Sequence, residues 1–228
     1  MKTVGIIGGL GPETSAKFQL EIISSCLKTK RQRPPILSWN VPLPLKIEED
    51  LIIRNFGEKR YLPILIEAAR ILEKAGADFL VMPCNTMHIF IEEIRKAVNI
   101  PVLSIVDETL LMIHKKRVKK IGILSTSTTL SKDLFQSKLN RIGVKVITPH
   151  NKQQKRIDKV IHNLVMGKQN SKDQIVIDQI LKDLENKGAK NIILACTDLQ
   201  LIIQERPRMK ILDTMHILAE ATTKEILK

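Results

Sequence analysis

The sequence predicts an α/β protein of two similar α/β domains with parallel sheets. The two are expected to be related by a pseudo-twofold axis, with the functional site in the cleft between them. Three observations predict this fold. Short apolar runs alternate with helical patterns, as in parallel βαβ units. Several segments of the first half recur in the second half. A cysteine also follows the matching apolar run in each half, at Cys84 and Cys196.

The predicted elements follow from hydrophobic periodicity and from glycine or asparagine stops. The short runs rich in branched aliphatic residues are predicted as strands at residues 4–7, 36–40, 79–82, 102–105, 121–124, 144–148, 192–194 and 211–212. Segments with apolar residues near helical spacing are predicted as helices at residues 14–28, 62–74, 87–98, 132–141, 155–166, 172–187 and 215–227. This alternation favours parallel sheets covered by helices, with about four strands in each half.

An internal repeat indicates how the chain is divided. The run VGII (4–7) is echoed by IGIL (121–124), GADFLVMPCNT (76–86) by GAKNIILACT (188–197), and VLS (102–104) by ILD (211–213). Any two βα units look alike to some degree, but the matching cysteines favour duplication. We therefore predict a first domain of residues 1–100 with 208–228 and a second domain of residues 101–207. The last helix is expected to return and pack on the first half.

Composition indicates a soluble globular protein. The 228 residues are 43% hydrophobic and 27% charged, and no apolar run approaches the roughly 20 residues that cross a bilayer. The first residues lack the long apolar region and the cleavage site of a signal peptide. These features predict a cytoplasmic protein without membrane association.

The net charge of +13 raises the question of nucleic-acid binding. The basic runs are short and interrupted by apolar residues, and aromatic residues, at 3%, are too scarce for base-stacking platforms. We therefore expect no nucleic-acid partner, and the lysines are interpreted as solvated helix faces. The three cysteines are odd in number and widely spaced, so a disulfide framework is not expected, and Cys26 is interpreted as structural.

The two repeated cysteines lie where a parallel α/β sheet binds ligands, beyond the carboxyl ends of its strands. A thiol at a helix N-terminus is expected to have a lowered pKa and can act as a base. The alternative is a pair of buried cysteines that act as small hydrophobic residues. The polar residues that follow them, Asn85-Thr86 and Thr197-Asp198, favour a functional site.

Two thiols that face each other across a cleft suit one reaction class. Racemisation needs a base on one face of a carbon and an acid on the other, with the roles exchanged in the reverse direction. The pattern therefore favours inversion of a carbon centre with Cys84 and Cys196 as the pair.

The glycine-rich turn after the first strand does not match the common nucleotide-binding motifs. The pattern G-x-G-x-x-G fails at Thr14, and no G-x-x-x-x-G-K-[ST] sequence occurs, so no nucleotide site is predicted. Cys84 and His88 have no companion ligands at suitable spacing, so no metal is expected. We predict instead that the turn at Gly9 and Leu10 binds an anionic group of the substrate through backbone N–H groups.

Three stretches identify a family resemblance. VGIIGGLGP (4–12), PCNTMH (83–88) and ACTD (195–198) closely resemble the signature stretches of the aspartate/glutamate racemase family, and the resemblance covers essentially the whole chain. It implies a homodimeric amino-acid racemase that needs no cofactor and uses Cys84 and Cys196 as its acid and base. It also implies contacts to the substrate's α-carboxylate or amino group from Asn85, Thr86, Thr126, Thr129 and Thr197, with Asp198 in the same set.

Two departures from the family pattern bear on the substrate. Many members have Thr-Glu after the second cysteine, where this chain has Thr197-Asp198, and many have an arginine in the loop after the second strand, which here reads PLPLKIE (42–48). Aspartate or glutamate remains the expected substrate. The cations that could replace the arginine are Lys46, Arg54, Arg60 and Lys168.

Several alternatives stay open at this point. They are a racemase of another amino acid or of a hydantoin, a related cysteine-dependent decarboxylase or isomerase, and a non-catalytic protein that binds amino acids or RNA.

Overall fold

The computed structural model describes residues 1–203 and 207–228. Residues 204–206, at the end of the predicted second domain, lie outside the described part. The strands are β1 (Val4–Gly8), β2 (Ile36–Asn40), β3 (Phe79–Val81), β4 (Lys120–Ser125), β5 (Lys145–Ile147), β6 (Asn191–Ala195) and β7 (Lys210–Asp213). The helices are α1 (Pro12–Lys30), α2 (Leu45–Arg54), α3 (Tyr61–Lys74), α4 (Ile91–Ala97), α5 (Ile105–Lys115), α6 (Ser127–Ser131), α7 (Gln136–Arg141), α8 (Asn151–Val165), α9 (Ser171–Asn186) and α10 (Thr214–Ile226). Short 3₁₀ helices span Glu58–Arg60, Thr86–Phe90 and Thr197–Leu201.

The strands form two parallel sheets, as the sequence predicts. The first has the order β2-β1-β3 and the second the order β5-β4-β6-β7. The predicted strand at 102–105 is wrong beyond its first residue. Val102 alone bridges to Leu80, and α5 already begins at Ile105. The first sheet therefore has three full strands and one residue of a fourth.

Two glycines show that the repeat extends to side-chain packing. A Cβ atom on Gly5 of β1 would lie 2.6 Å from Leu80 Cδ2, and one on Gly122 of β4 would lie 2.5 Å from Ile192 Cδ1. Leu80 and Ile192 hold equivalent positions in the two repeats. The same close contact between a central strand and its neighbour thus occurs in both sheets, and both require a residue without a side chain.

Successive residues of each strand contribute to different hydrophobic clusters. Ile6 and Ile193 belong to a cluster that includes strands of both sheets together with α1, α5 and α10. Ile7 belongs to a second cluster with α2, α3 and α4, and Ile192 to a third with α8 and α9. Because one core contains parts of both sheets, it positions the carboxyl ends of β3 and β6 relative to each other.

The end of the chain links the halves. Helix α10 packs on α1, as predicted, and the backbone N–H of Lys2 donates to the carbonyl of Ile226. Strand β7 pairs with β6 in the second sheet, which differs from the predicted placement of residues 208–228 with the first domain. The boundaries of the domains otherwise stay a prediction. Asp213 caps α10 by accepting a hydrogen bond from Met215 N, as Ser104 caps α5 by accepting one from Asp107 N.

Some helices differ from the sequence prediction. Helix α7 is shorter than the predicted helix at 132–141, and the predicted helix at 87–98 is a 3₁₀ helix followed by α4. Helices α2, α5 and α6 were not predicted. None of the helices in the described residues combines the length and the apolar character needed to span a bilayer.

Candidate active site

A small cavity lies where the carboxyl ends of β3 and β6 meet helix α2. Its volume is about 40 Å³, which corresponds to a few water molecules. Its lining residues come from both halves and are Leu10, Glu48, Leu51, Ile52, Tyr61, Cys84, Asn85, Thr86, Met87, Thr126, Ile161, Val165, Cys196, Thr197 and Asp198. The structure thus brings together most of the predicted site residues.

Cys84 and Cys196 both line this cavity as free thiols. Each follows its strand and precedes a 3₁₀ helix. The backbone N–H groups of Thr86 and Met87 act to lower the pKa of Cys84, and those of Asp198 and Leu199 act to lower the pKa of Cys196. The donors are the second and third residues after the cysteine in both cases. The repeat has therefore duplicated the environment of the sulfur, as well as the cysteine itself. Cys26, by contrast, is fully buried in the shared core, away from the cavity.

The expected lowering of the thiol pKa is reversed by burial. Burial raises the pKa of Cys84 to about 12, and the two backbone N–H groups offset only part of that effect. Burial, and then the charge of Asp198, also raises the pKa of Cys196. Loss of hydration outweighs the donors because a thiolate depends on solvation and no cationic side chain lines the cavity in the described chain. Both cysteines are thiols in this state.

Asp198 is the anionic group at the N-terminus of α1. Thr14 Oγ1 donates to Asp198 Oδ1 at 2.6 Å, and a Cβ atom on Gly11 would lie 2.5 Å from the same oxygen. Near this turn the chain's own carboxylate accepts from Thr14, and the contact between the glycine turn and a substrate anion stays a prediction. The N–H of Gly9 donates to Ser15 Oγ, and Gly9 is absent from the described lining, whereas Leu10 is part of it. The Cys196 thiol donates to Asp198 Oδ2 at 3.7 Å.

The orientation of Asn85 is set by a chain of hydrogen bonds. Thr214 Oγ1 donates to the carbonyl of Leu194, so it accepts from Asn85 Nδ2 at 2.8 Å. Asn85 Oδ1 is then left buried, with no hydrogen-bond partner among the described residues. The asparagine thus presents an acceptor, suited to an ammonium group, rather than a donor suited to a carboxylate.

Three predicted threonines form a cluster of hydroxyl groups. Thr86 Oγ1 lies 3.0 Å from Thr126 Oγ1 and 3.1 Å from Thr129 Oγ1, and the last two are 3.0 Å apart. Thr86 and Thr126 line the cavity, and Thr129 lies behind them. Thr197, on the other side, donates to the carbonyl of Pro83 at 3.2 Å. Hydroxyl hydrogens that bond to one another in this state can be redirected to an anionic ligand.

His88 connects the first cysteine loop to α5. Its Nε2 accepts from the N–H of Ile105 at 3.0 Å, so its Nδ1 carries the hydrogen and donates to the carbonyl of Cys84 at 2.7 Å. Burial lowers the pKa of His88 to about 4, which keeps the ring neutral. His88 is thus a neutral, hydrogen-bonded ring that joins the first cysteine loop to α5.

Sequence reasoning missed helix α2, and it also missed Tyr61 of α3 and the α8 residues Ile161 and Val165, which line the cavity. The segment PLPLKIE was interpreted as a loop, but the helix begins at Leu45 and places Glu48, Leu51 and Ile52 on the cavity wall. The i, i+3, i+4 spacing of these three residues was the signal that could have identified it.

None of the cations proposed as replacements for the missing arginine is among the lining residues of the described chain. Lys46 Nζ and Arg54 Nη1 lie 3.0 and 3.2 Å from Asp50 Oδ1, and Arg60 Nη2 lies 3.1 Å from Asp50 Oδ2. Lys168 is exposed beyond the end of α8. The cations around α2 are thus paired with a carboxylate outside the cavity.

Comparisons with known proteins agree with this architecture. The model of the family described as Asp/Glu/Hydantoin racemase matches residues 7–222. The broad specificity amino-acid racemase RacX of Bacillus subtilis is 28% identical over 230 residues, which cover 98% of each chain. The structure of an aspartate racemase homologue from Pyrococcus horikoshii aligns with a TM-score of 0.79 and 27% identity over 100% of both chains. The aspartate racemase of Picrophilus torridus shares the fold, with a TM-score of 0.83 and 24% identity over 100% of this chain and 95% of that one. This chain therefore belongs to the Asp/Glu/hydantoin racemase family.

Proposed function

We propose that the protein is an amino-acid racemase that interconverts L and D forms by a two-base mechanism with Cys84 and Cys196. The observation that carries this proposal is the pair of free thiols on one cavity, each held by two backbone N–H groups at equivalent positions of the repeat. A structural role for the cysteines would not require this duplicated polar environment around both sulfurs.

The proposed reaction moves one proton in and one proton out. The thiolate of one cysteine takes the α-proton, and the electrons of the broken C–H bond delocalise into the substrate carboxylate to give a planar intermediate. The thiol of the other cysteine then donates its proton to the opposite face of that carbon. The first cysteine is left as a thiol and the second as a thiolate, ready for the reverse direction.

The polar groups of the cavity have separate tasks in this proposal. The hydroxyl groups of Thr86 and Thr126, supported by Thr129, bind the α-carboxylate and stabilise the charge that develops on it. Asn85 Oδ1 and the Asp198 carboxylate accept hydrogen bonds from the α-ammonium group, and Thr197 lies beside them. The ammonium also brings a positive charge to a cavity where burial raises the pKa of both thiols, so substrate binding favours thiolate formation.

Membership of the family indicates the reaction more clearly than it indicates the side chain of the substrate. Resemblance alone favours aspartate or glutamate, yet no cationic side chain lines the cavity in the described residues. The name of the Bacillus subtilis relative indicates that a family member can act on many amino acids. The proposal includes three properties that rest on the sequence alone. They are turnover without pyridoxal phosphate, a homodimeric state and a cytoplasmic location.

The test is proton NMR of a panel of L- and D-amino acids in D₂O with the protein and a reductant. We expect loss of the α-proton signal together with formation of the opposite enantiomer. Cys84→Ala and Cys196→Ala should each lower the rate of interconversion by a factor of about 10²–10⁴. Cys26→Ala is the matched control, because it also removes a buried thiol but one outside the cavity.

Absence of exchange with every amino acid would contradict the proposal. The same protein would then be assayed with hydantoins and arylmalonates, and for binding of amino acids or RNA without turnover.

A further inference from the structure

The charged side chains in the described wall of the cavity are all acidic. Among the described residues that line it, the charged side chains are Glu48 and Asp198, and no lysine, arginine or histidine is present. A substrate with a carboxylate side chain would bring a further negative charge into this enclosed space. The wall is therefore poorly matched to aspartate and glutamate.

Asp198 already has a place at the reacting centre. Its two oxygens accept from Thr14 and from the thiol of Cys196, the latter at 3.7 Å. A carboxylate beside a catalytic thiol lies next to the α-carbon and its amino group. Glu48 differs, because it belongs to α2 and its side chain forms no hydrogen bond or ion pair with the described residues.

Glu48 has no cationic partner among the described residues because the cations of α2 contact another carboxylate. Its side chain is buried, with the residue only 9% exposed, although Lys46 and Arg54 belong to the same helix. Both cations contact Asp50 instead, since each is four residues from it on the helix. A buried carboxyl without a cation is costly, and burial followed by the charge of Asp198 raises the pKa of Glu48 to about 7. A cation that entered the cavity would relieve this cost.

Apart from the hydroxyl of Tyr61, which also lines the cavity, the wall on this side is apolar. Leu51 and Ile52 lie on the same helix, and Ile161 and Val165 of α8 complete this side of the cavity. Such a surface fits a chain of methylene groups whose end carries a charge, as in the stem of a basic amino acid.

We propose that Glu48 is a specificity-determining residue that binds the positively charged side chain of a basic amino-acid substrate, such as ornithine, lysine or arginine. The inference rests on the proposed racemase activity and names its substrate class. Acidic amino acids are disfavoured by the same carboxylate.

The experiment compares kcat/KM for racemisation of L-lysine, L-norleucine and L-aspartate. Norleucine has a four-carbon side chain like that of lysine but lacks its amino group. The wild-type protein should prefer lysine to norleucine by at least about tenfold and should be slowest with aspartate, as expected for one charge-assisted hydrogen bond. Glu48→Gln should lower kcat/KM for lysine about 10- to 100-fold and change the value for norleucine less than about threefold.

Glu49→Gln is the matched control, since Glu49 is the next residue of the same helix and does not line the cavity. It should leave the preference for lysine unchanged. An equal loss with all substrates in Glu48→Gln, an unchanged preference, or a wild-type preference for aspartate would each overturn the inference while leaving the racemase proposal in place. Lack of turnover of any amino acid by the wild-type protein would instead overturn the proposed function itself.

Discussion

The two cysteine loops have the same scaffold and different side chains. Each cysteine follows a strand beside the central strand of its sheet and receives two N–H groups from the next turn. Two residues later the first loop has Thr86, whose hydroxyl contacts other hydroxyls, whereas the second has Asp198, whose carboxylate contacts Cys196. The two thiols thus have similar backbone surroundings, and the residues beside them make the two thiols unequal.

The same contrast appears behind the loops. His88, four residues after Cys84, accepts from the first N–H of α5, and Gln200, four residues after Cys196, contacts Met215 at the start of α10. His88 alone also donates back to the carbonyl of its own cysteine. The first loop is therefore held by a titratable ring and the second by a neutral amide.

The largest expected effect tests whether the two thiols serve opposite faces of the substrate. Cys84→Ser and Cys196→Ser should each lower racemisation by a factor of about 10²–10⁴, because one of the two proton-transfer groups is lost. In D₂O, each variant should still exchange the α-proton of one enantiomer through its remaining thiolate, and the two variants should differ in which enantiomer they exchange. Exchange of the same enantiomer by both would show that the thiols act on one face.

A smaller effect is expected from Asp198→Asn, which removes the charge that distinguishes the second cysteine loop from the first. The charge of Asp198 raises the pKa of both thiols, so Asp198→Asn should lower both thiol pKa values and shift alkylation by iodoacetamide to lower pH. Racemisation should fall about 10- to 100-fold because the acceptor beside Cys196 is weakened. Thr86→Val at the equivalent position removes a hydroxyl without changing the charge and should leave the alkylation profile in place. Equal profiles for Asp198→Asn and the wild-type protein would refute the electrostatic difference between the loops.

A third effect concerns the histidine of the first loop and changes stability, with no direct loss of a proton-transfer group. The pKa of His88 is lowered to about 4 from an ordinary value of 6.5, so the unfolded chain binds the proton first as the pH falls. The free energy of unfolding therefore has its full value above pH 6.5. It decreases by up to about 3 kcal/mol as the pH falls to about 4.

This prediction is checked by urea unfolding across that range of pH. His88→Gln should lack this part of the pH dependence of the unfolding free energy. His114→Gln, which changes an exposed histidine of α5, should retain it. If the wild-type and His88→Gln curves were parallel, the ring would not be held neutral by the fold.

Much of the scaffold could be predicted from sequence because it depends on local patterns. The runs around Val4 and Ile121 indicated the central strands, and the repeated cysteines indicated where the site lies. Prediction failed where local pattern was weak. Val102 looked like the start of a strand, but a helix capped by Ser104 begins at Ile105, and the N–H of Ile105 donates to His88 instead of to a sheet. Helix α2 was missed because two prolines and a short apolar spacing resemble a loop.

The sequence by itself determined the family, the alternation of strands and helices, and the two cysteines with their polar neighbours. These depend on residue identity and spacing, which are local. Only the tertiary structure decided that α2 brings Glu48 into the cavity, that Lys46, Arg54 and Arg60 are paired with Asp50, and that the glycine turn faces Asp198. It also decided the direction of the thiol pKa shifts, because desolvation depends on everything packed around a group, including residues far away in the chain.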